Sequence, residues 1–152
     1  MASIIQWNCQ AVRSKKDELL SLIDVQKTCA VALQETKLWH TKFSIPNYTL
    51  YKKDGHFDHS PHVGVAILVQ QSVPANLLTF NTEHQAIAVR IDLTSIALCS
   101  IYISHSQLFS YQSLHDLFSQ LPPPIIIMGE FISYSHLWGC ETTDVREGQL
   151  YQ

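Results

Sequence analysis

Charge is scarce in this chain. Asp, Glu, Lys and Arg supply only 15% of its 152 residues, against about 25% in an ordinary soluble domain. The shortage implies a large buried fraction, or surface meant to be covered by further chain. Ten Lys and Arg against 13 Asp and Glu leave a formal net charge of −3 with the eight histidines neutral. That balance argues against a strong non-specific nucleic-acid binder, whose affinity comes from Lys and Arg neutralising phosphates. A single acidic phosphodiesterase pocket with a bound cation remains compatible with it. Paired cysteines are also lacking. Cys9, Cys29, Cys99 and Cys140 stand far apart with no CxxC, and read as buried, reduced thiols of an intracellular protein. No apolar run approaches the ~20 residues of a membrane span, and residues 1–8 are too short and too quickly polar for a secretory leader. These absences lead to an expected intracellular placement, nuclear or cytoplasmic, with no membrane partner.

What is present is apolar: 46% hydrophobic residues exclude disorder as the main state. Residues 3–7 form a short Ile-rich run that reads as a buried strand. Ser14, as N-cap, precedes Lys15, Lys16, Asp17 and Glu18 and the apolar positions 19, 20, 22 and 23, which predicts a helix over about 15–27. Residues 29–33 read as a second buried strand. Strand, helix and strand in this order predict α/β layering. Residues 48–52, 63–69, 76–80, 86–93 and 96–103 all read as extended. Asp92-Leu93-Thr94-Ser95 makes a hairpin turn without glycine, and 54–62 form a polar loop. Residues 107–121 carry a helical apolar pattern, ended by Pro122-Pro123-Pro124 ahead of a buried strand at 125–128. The tail from 133 to 152 is weakly patterned. Repeats, low-complexity tracts and a domain boundary are absent, so residues 1–152 are read as one, partial, domain.

Three polar residues stand where apolar strands end: Asn8, Glu35 and Glu130. Ligand sites of layered α/β folds collect at the carboxyl ends of strands. Two carboxylates and an amide converging there suit a hard cation such as Mg²⁺, which binds through one or two carboxylates plus substrate phosphate. Each also fits a plain strand cap on the solvent side, and spacing alone leaves both readings open.

A resemblance bears on the choice. Trp7-Asn8, Leu33-Gln34-Glu35-Thr36-Lys37, Ile45-Pro46-Asn47-Tyr48, Gly64-Val65-Ala66-Ile67-Leu68-Val69, Ser100-Ile101-Tyr102, Pro122-Pro123-Pro124, Met128-Gly129-Glu130-Phe131 and Leu137-Trp138-Gly139 follow one another along nearly the whole chain. In order and spacing they resemble the endonuclease/exonuclease/phosphatase superfamily, in particular the apurinic-endonuclease-like domain of jockey-type non-LTR retrotransposons. The resemblance implies two packed, mixed and mostly antiparallel β-sheets flanked by helices, a four-layer α/β/β/α sandwich. It implies Mg²⁺-dependent hydrolysis of DNA phosphodiesters, which nicks a target site. Glu35 matches the metal-binding glutamate. Asn8 matches the amide near phosphate and metal, and Tyr102 the tyrosine that hydrogen-bonds phosphate. Glu130 stands at the position of the aspartate that orients the attacking water.

The chain also departs from that pattern. The family's Gly-Asp-x-Asn is here Gly129-Glu130-Phe131-Ile132, which lengthens the acid by a methylene and removes an amide. A ~1 Å misplacement of a catalytic group costs on the order of 10²-fold, and loss of one stabilising donor roughly 10²–10³-fold. Ser135 replaces a family histidine, with His136 beside it. The family's later aspartate and Asp-His pair would lie beyond Gln152, so the expectation is a domain lacking its C-terminal part. Two functions follow: a DNA endonuclease with impaired chemistry, or a catalytically inactive retroelement-derived remnant that binds nucleic acid or protein. No small-molecule ligand is evident. His56, His59 and His62 suit a solvated loop or a metal site. Arg13, Lys15 and Lys16 suit a solvated helix start or phosphate contacts. Trp39 and Trp138 suit packing or base stacking.

Overall fold

The computed structural model describes residues 3–39, 41–55, 64–103 and 110–131. The apolar runs become eight strands: β1 (Ser3–Asn8), β2 (Thr28–Gln34), β3 (Tyr48–Asp54), β4 (Gly64–Gln70), β5 (Ala75–Leu78), β6 (Gln85–Ile91), β7 (Ile96–Ile103) and β8 (Ile125–Phe131). Helix α1 (Lys16–Gln26) and helix α2 (Tyr111–Ser119) connect β1 to β2 and precede β8. The strands make two four-stranded mixed sheets, ordered β1-β2-β4-β3 and β5-β6-β7-β8. Only β1–β2 and β7–β8 pair in parallel, because helix-containing connections join their ends, whereas the other pairs are antiparallel.

Alternation of side chains along each strand builds three cores. Val31, Leu33, Ala66 and Leu68 face outward from the first sheet onto Leu19 of α1. Ala86, Ala88, Cys99, Ile101 and Ile103 face outward from the second sheet onto Leu114, Leu117 and Leu121. Between the sheets lie Ala30, Val65, Ile67, Val69, Ile87, Val89, Leu98 and Tyr102. The result is the expected α/β/β/α sandwich. Strands β2, β4 and β7 read as nearly continuous apolar runs because both of their faces are covered. Full burial of one such Leu or Ile side chain contributes about 1.5–3 kcal/mol. Cys9 and Cys99 sit inside these layers, and burial pushes their thiols up to about 11 and about 12. Cys29 is half-buried, and Cys140 lies outside the described residues.

Several boundaries differ from the sequence reading. Ser14 does not cap α1: it lies in a 3-10 turn (Val12–Lys15), and its hydroxyl donates to the Ala11 carbonyl. The chain is already helical when α1 begins, so no side-chain cap is needed. Helix α2 does have a side-chain cap, Ser110, in a reciprocal pair with Ser113. The turn at residues 92–95 forms without glycine because Ser95 itself takes a left-handed conformation, φ 59°. Strand β8 runs three residues beyond the expected 128, so Glu130 is a strand residue rather than one that follows the strand. Among the described residues, no helix is long and apolar enough to cross a membrane.

Candidate active site

The carboxyl ends of β1, β2, β7 and β8 lie at one end of the sandwich. Ladder register brings two rows of side chains there, one from each sheet. In the first sheet Asn8 pairs with Gln34, Gln34 with Val65 and Val65 with Lys53. In the second, Gln85 pairs with Tyr102 and Tyr102 with Glu130. Both rows face the space between the sheets. The Tyr102 hydroxyl donates across it to Glu35 Oε1 at 3.3 Å. Asn8 Nδ2 donates to Glu130 Oε2, also from sheet to sheet. The four expected site residues therefore meet as two adjacent cross-sheet pairs.

Local backbone explains how the side chains arrive. Glu35 leaves β2 in a left-handed conformation, φ 52°, and Lys37, Trp39, Gln10 and Ala11 are left-handed too. Non-glycine residues pay for that conformation, roughly 1–2 kcal/mol each, so surrounding contacts must hold it. They do. Cys9 N–H donates to the Gln34 carbonyl, Ala11 N–H to that of Glu35 and Val12 N–H to that of Thr36, at 2.9–3.2 Å. The segment after β1 is thus stitched to the turn after β2. Gly129 allows β8 to lie tight on β7, since a Cβ there would collide with the Ile101 backbone. Gly64 has φ 145°, and a Cβ there would lie 2.5 Å from Thr36 Oγ1.

The donor set fits a hard divalent cation. Asn8 Oδ1 is buried and has no hydrogen-bond partner among the described residues, a cost of about 1–3 kcal/mol unless something binds it. The Glu130 carboxylate contacts the same amide, and the Glu35 carboxylate contacts Tyr102, the ladder neighbour of Glu130. Among the described residues no three His, Cys, Asp or Glu side chains cluster as a metal site. Two carboxylates and an amide oxygen match the sparse protein coordination typical of Mg²⁺.

Other residues at this end escaped the sequence reading. Gln85, in the same row as Tyr102, has a buried Oε1 without a hydrogen-bond partner among the described residues. Lys53 donates from Nζ to the His84 carbonyl at 3.0 Å, across the sheets, and burial lowers its pKa. Their signal was faint: alternation in Thr49, Tyr51 and Lys53 puts Lys53 on the inner face, but an isolated lysine at a strand end looks solvated. Ser100, 0% exposed, interrupts the apolar run of β7, and that interruption was visible.

The basic residues divide. Lys15 donates to the Cys9 carbonyl and lies 5.9 Å from the Trp7 ring centroid, so it is spent on structure. Arg13 and Lys16 line a cavity of about 500 Å³ with Lys42, Phe43 and Ser44. Trp39 is half-buried. His56, His59, His62, Ile132, Ser135, His136 and Trp138 lie outside the described residues.

No family model matches the chain, and no curated protein matches it in sequence. Solved structures do. The endonuclease domain of TRAS1, a telomere-specific non-LTR retrotransposon, superposes with a TM-score of 0.72 at 20% identity, over 97% of this chain and 67% of that one. The 3′ phosphatase NExo from Neisseria, bound to product DNA hairpin, gives 0.67 at 14% identity over 97% and 68%. The catalytic domain of Xenopus laevis APE2 gives 0.62 at 18% over 98% and 66%. The chain thus spans about two thirds of each of these structures. Sheet order, the two flanking helices and these superpositions agree: the chain has the fold of the endonuclease/exonuclease/phosphatase superfamily.

Proposed function

We propose that residues 1–152 form a phosphodiesterase-type domain of retrotransposon origin whose chemistry is Mg²⁺-dependent hydrolysis of a DNA backbone. The observation that carries this reading is the pair of cross-sheet contacts, Tyr102–Glu35 and Asn8–Glu130, at the carboxyl ends of β1, β2, β7 and β8. Glu35, Asn8 Oδ1 and Glu130 would hold the ion. Bound there, Mg²⁺ supplies a Lewis acid that polarises a phosphoryl oxygen. The chain's own groups do the rest. Tyr102 turns its hydroxyl from Glu35 to a phosphate oxygen and stabilises charge developing on it. Asn8 donates its amide to the same phosphate. Glu130 orients the attacking water. Arg13, Lys16 and Lys42 carry the flanking DNA backbone as point charges.

A second reading has its own support. Glu130 replaces the family's aspartate and spends its longer side chain on Asn8, and Ile132 has no amide to offer. A domain tied up in this way binds nucleic acid or protein without cutting. Nicking of supercoiled plasmid by the purified chain, with and without Mg²⁺ and with Glu35→Ala as control, separates the two. Metal-dependent nicks lost in Glu35→Ala support the enzyme. Equal backgrounds with retained DNA binding support the binding module.

A further inference from the structure

A polar chain runs from exposed Gln6 on β1 into the space between the sheets next to the site. Gln6 Nε2 donates to Gln34 Oε1 at 2.7 Å, Gln34 Nε2 to Ser100 Oγ at 2.9 Å, and Ser100 Oγ to the Leu33 carbonyl at 3.0 Å. Gln34 and Ser100 are both 0% exposed. The Ser100 hydroxyl accepts one bond and donates another, so it is satisfied in both senses. Away from the site, this layer is built of Ala30, Val65, Ile67, Ile87, Val89 and Leu98. Replacing both partners by apolar groups of the same shape leaves no polar atom to satisfy and is close to neutral or stabilising.

What the polar pair adds is register. If one sheet slid over the other, the amide and the hydroxyl would both be stranded in apolar surroundings, which is costly in a low-dielectric interior. The bridge also stands beside every site residue. Gln34 precedes Glu35 in the chain and pairs with Asn8 in the ladder. Ser100 lies two residues before Tyr102 on the same face of β7, and its ladder partner Met128 lies two residues before Glu130.

We propose that Gln34 and Ser100 are positioning residues: their buried bridge sets the two sheets in the register that brings Glu35 to Tyr102 and Asn8 to Glu130, while neither touches substrate. The purpose of that positioning rests on the functional reading above, but the positioning has a readout of its own. Three variants of the full chain are compared with wild type: Ser100→Ala, Ser100→Thr, and the double variant Gln34→Met/Ser100→Ala. Melting midpoint reports stability. The Mg²⁺-induced rise in that midpoint reports metal affinity. The ¹³Cζ resonance of Tyr102 in tyrosine-labelled protein, assigned with Tyr102→Phe, reports its bond to Glu35.

Ser100→Ala strands the Gln34 amide and lowers the midpoint. The double variant recovers most of that loss, yet binds Mg²⁺ at least tenfold more weakly and moves the Tyr102 resonance to its position in Glu35→Gln. Ser100→Thr keeps the hydroxyl and both properties. A double variant with unshifted Tyr102 resonance overturns the proposal, leaving an ordinary satisfied polar pair in the core. A double variant too unstable to fold passes the decision to Ser100→Ala, read by the same resonance below its midpoint. A wild type whose midpoint ignores Mg²⁺ defeats the metal reading of the site, and the Tyr102 resonance still decides the positioning.

Discussion

The Tyr102 hydroxyl reaches Glu35 Oε1 across the gap between two sheets, at 3.3 Å, from residues 67 positions apart in the chain. That separation exceeds the 2.5–3.0 Å usual for an O–H···O bond, so the contact is weak and readily exchanged for a phosphate oxygen. Tyr102→Phe is therefore expected to cost little stability, about 0.5–1 kcal/mol. If the hydroxyl serves the phosphate, nicking falls roughly 10²-fold, with the loss in kcat rather than KM. Urea denaturation and plasmid-nicking kinetics on the same preparation check both halves.

Glu130 and Asn8 make the opposite trade. The glutamate carboxylate spans the gap to the Asn8 amide, and an aspartate, one methylene shorter, falls back toward β8. Glu130→Asp is expected to lower stability by about 1 kcal/mol while freeing Asn8 and raising metal-dependent nicking. A variant that melts like wild type would show that the Asn8 contact contributes nothing.

These two pairs mark how far the sequence alone could be read. Asn8, Glu35 and Glu130 were visible because each stands at the edge of an apolar run, and strand ends are where sites collect. Register was not visible. That Tyr102 lies opposite Glu130, and Gln34 opposite Asn8, depends on which strands pair and on a parallel β7–β8 ladder that no local pattern specifies. The start of the first helix was misread for the same reason in miniature: Ser14 is an acceptable cap, and only the docking of residues 11–12 on the β2 turn decides against it. Lys53 and Gln85 were invisible, since a polar residue at a strand end looks solvated until the other sheet is laid over it.

His84 gives the fold a pH dependence. It is fully buried, its Nε2 lies 3.0 Å from Ser113 Oγ, and burial lowers its pKa below the ordinary 6.5. Lys53 lowers it further and Glu83 opposes the shift. Above pH 6.5 both folded and unfolded chains hold a neutral ring, and His84 contributes no pH dependence. As pH falls below 6.5 the unfolded chain takes up a proton that the folded chain refuses. Stability then drops by at most about 1.4 kcal/mol per pH unit until the folded-state pKa is passed. His84→Gln should flatten this part of the midpoint-against-pH curve. An unchanged slope would assign the dependence to other groups.

Among the described residues β1 and β8 have neighbours in their sheets on one side only, and Ile4, Ile126 and Ile127 along them are 38–40% exposed. Open apolar edges recruit other chains. The chain alone is expected to self-associate, and Ile127→Lys to shift it toward monomer in sedimentation velocity. A monomeric wild type would contradict this.

On the function proposed above, the two cross-sheet pairs form a cation site for phosphodiester chemistry. The most direct test is nicking of supercoiled plasmid by wild type and by Glu35→Ala across a Mg²⁺ titration. Nicks are expected to rise with Mg²⁺ in wild type and to fall to background in Glu35→Ala. Nicking that is absent from both proteins, or that survives Glu35→Ala unchanged, would contradict it.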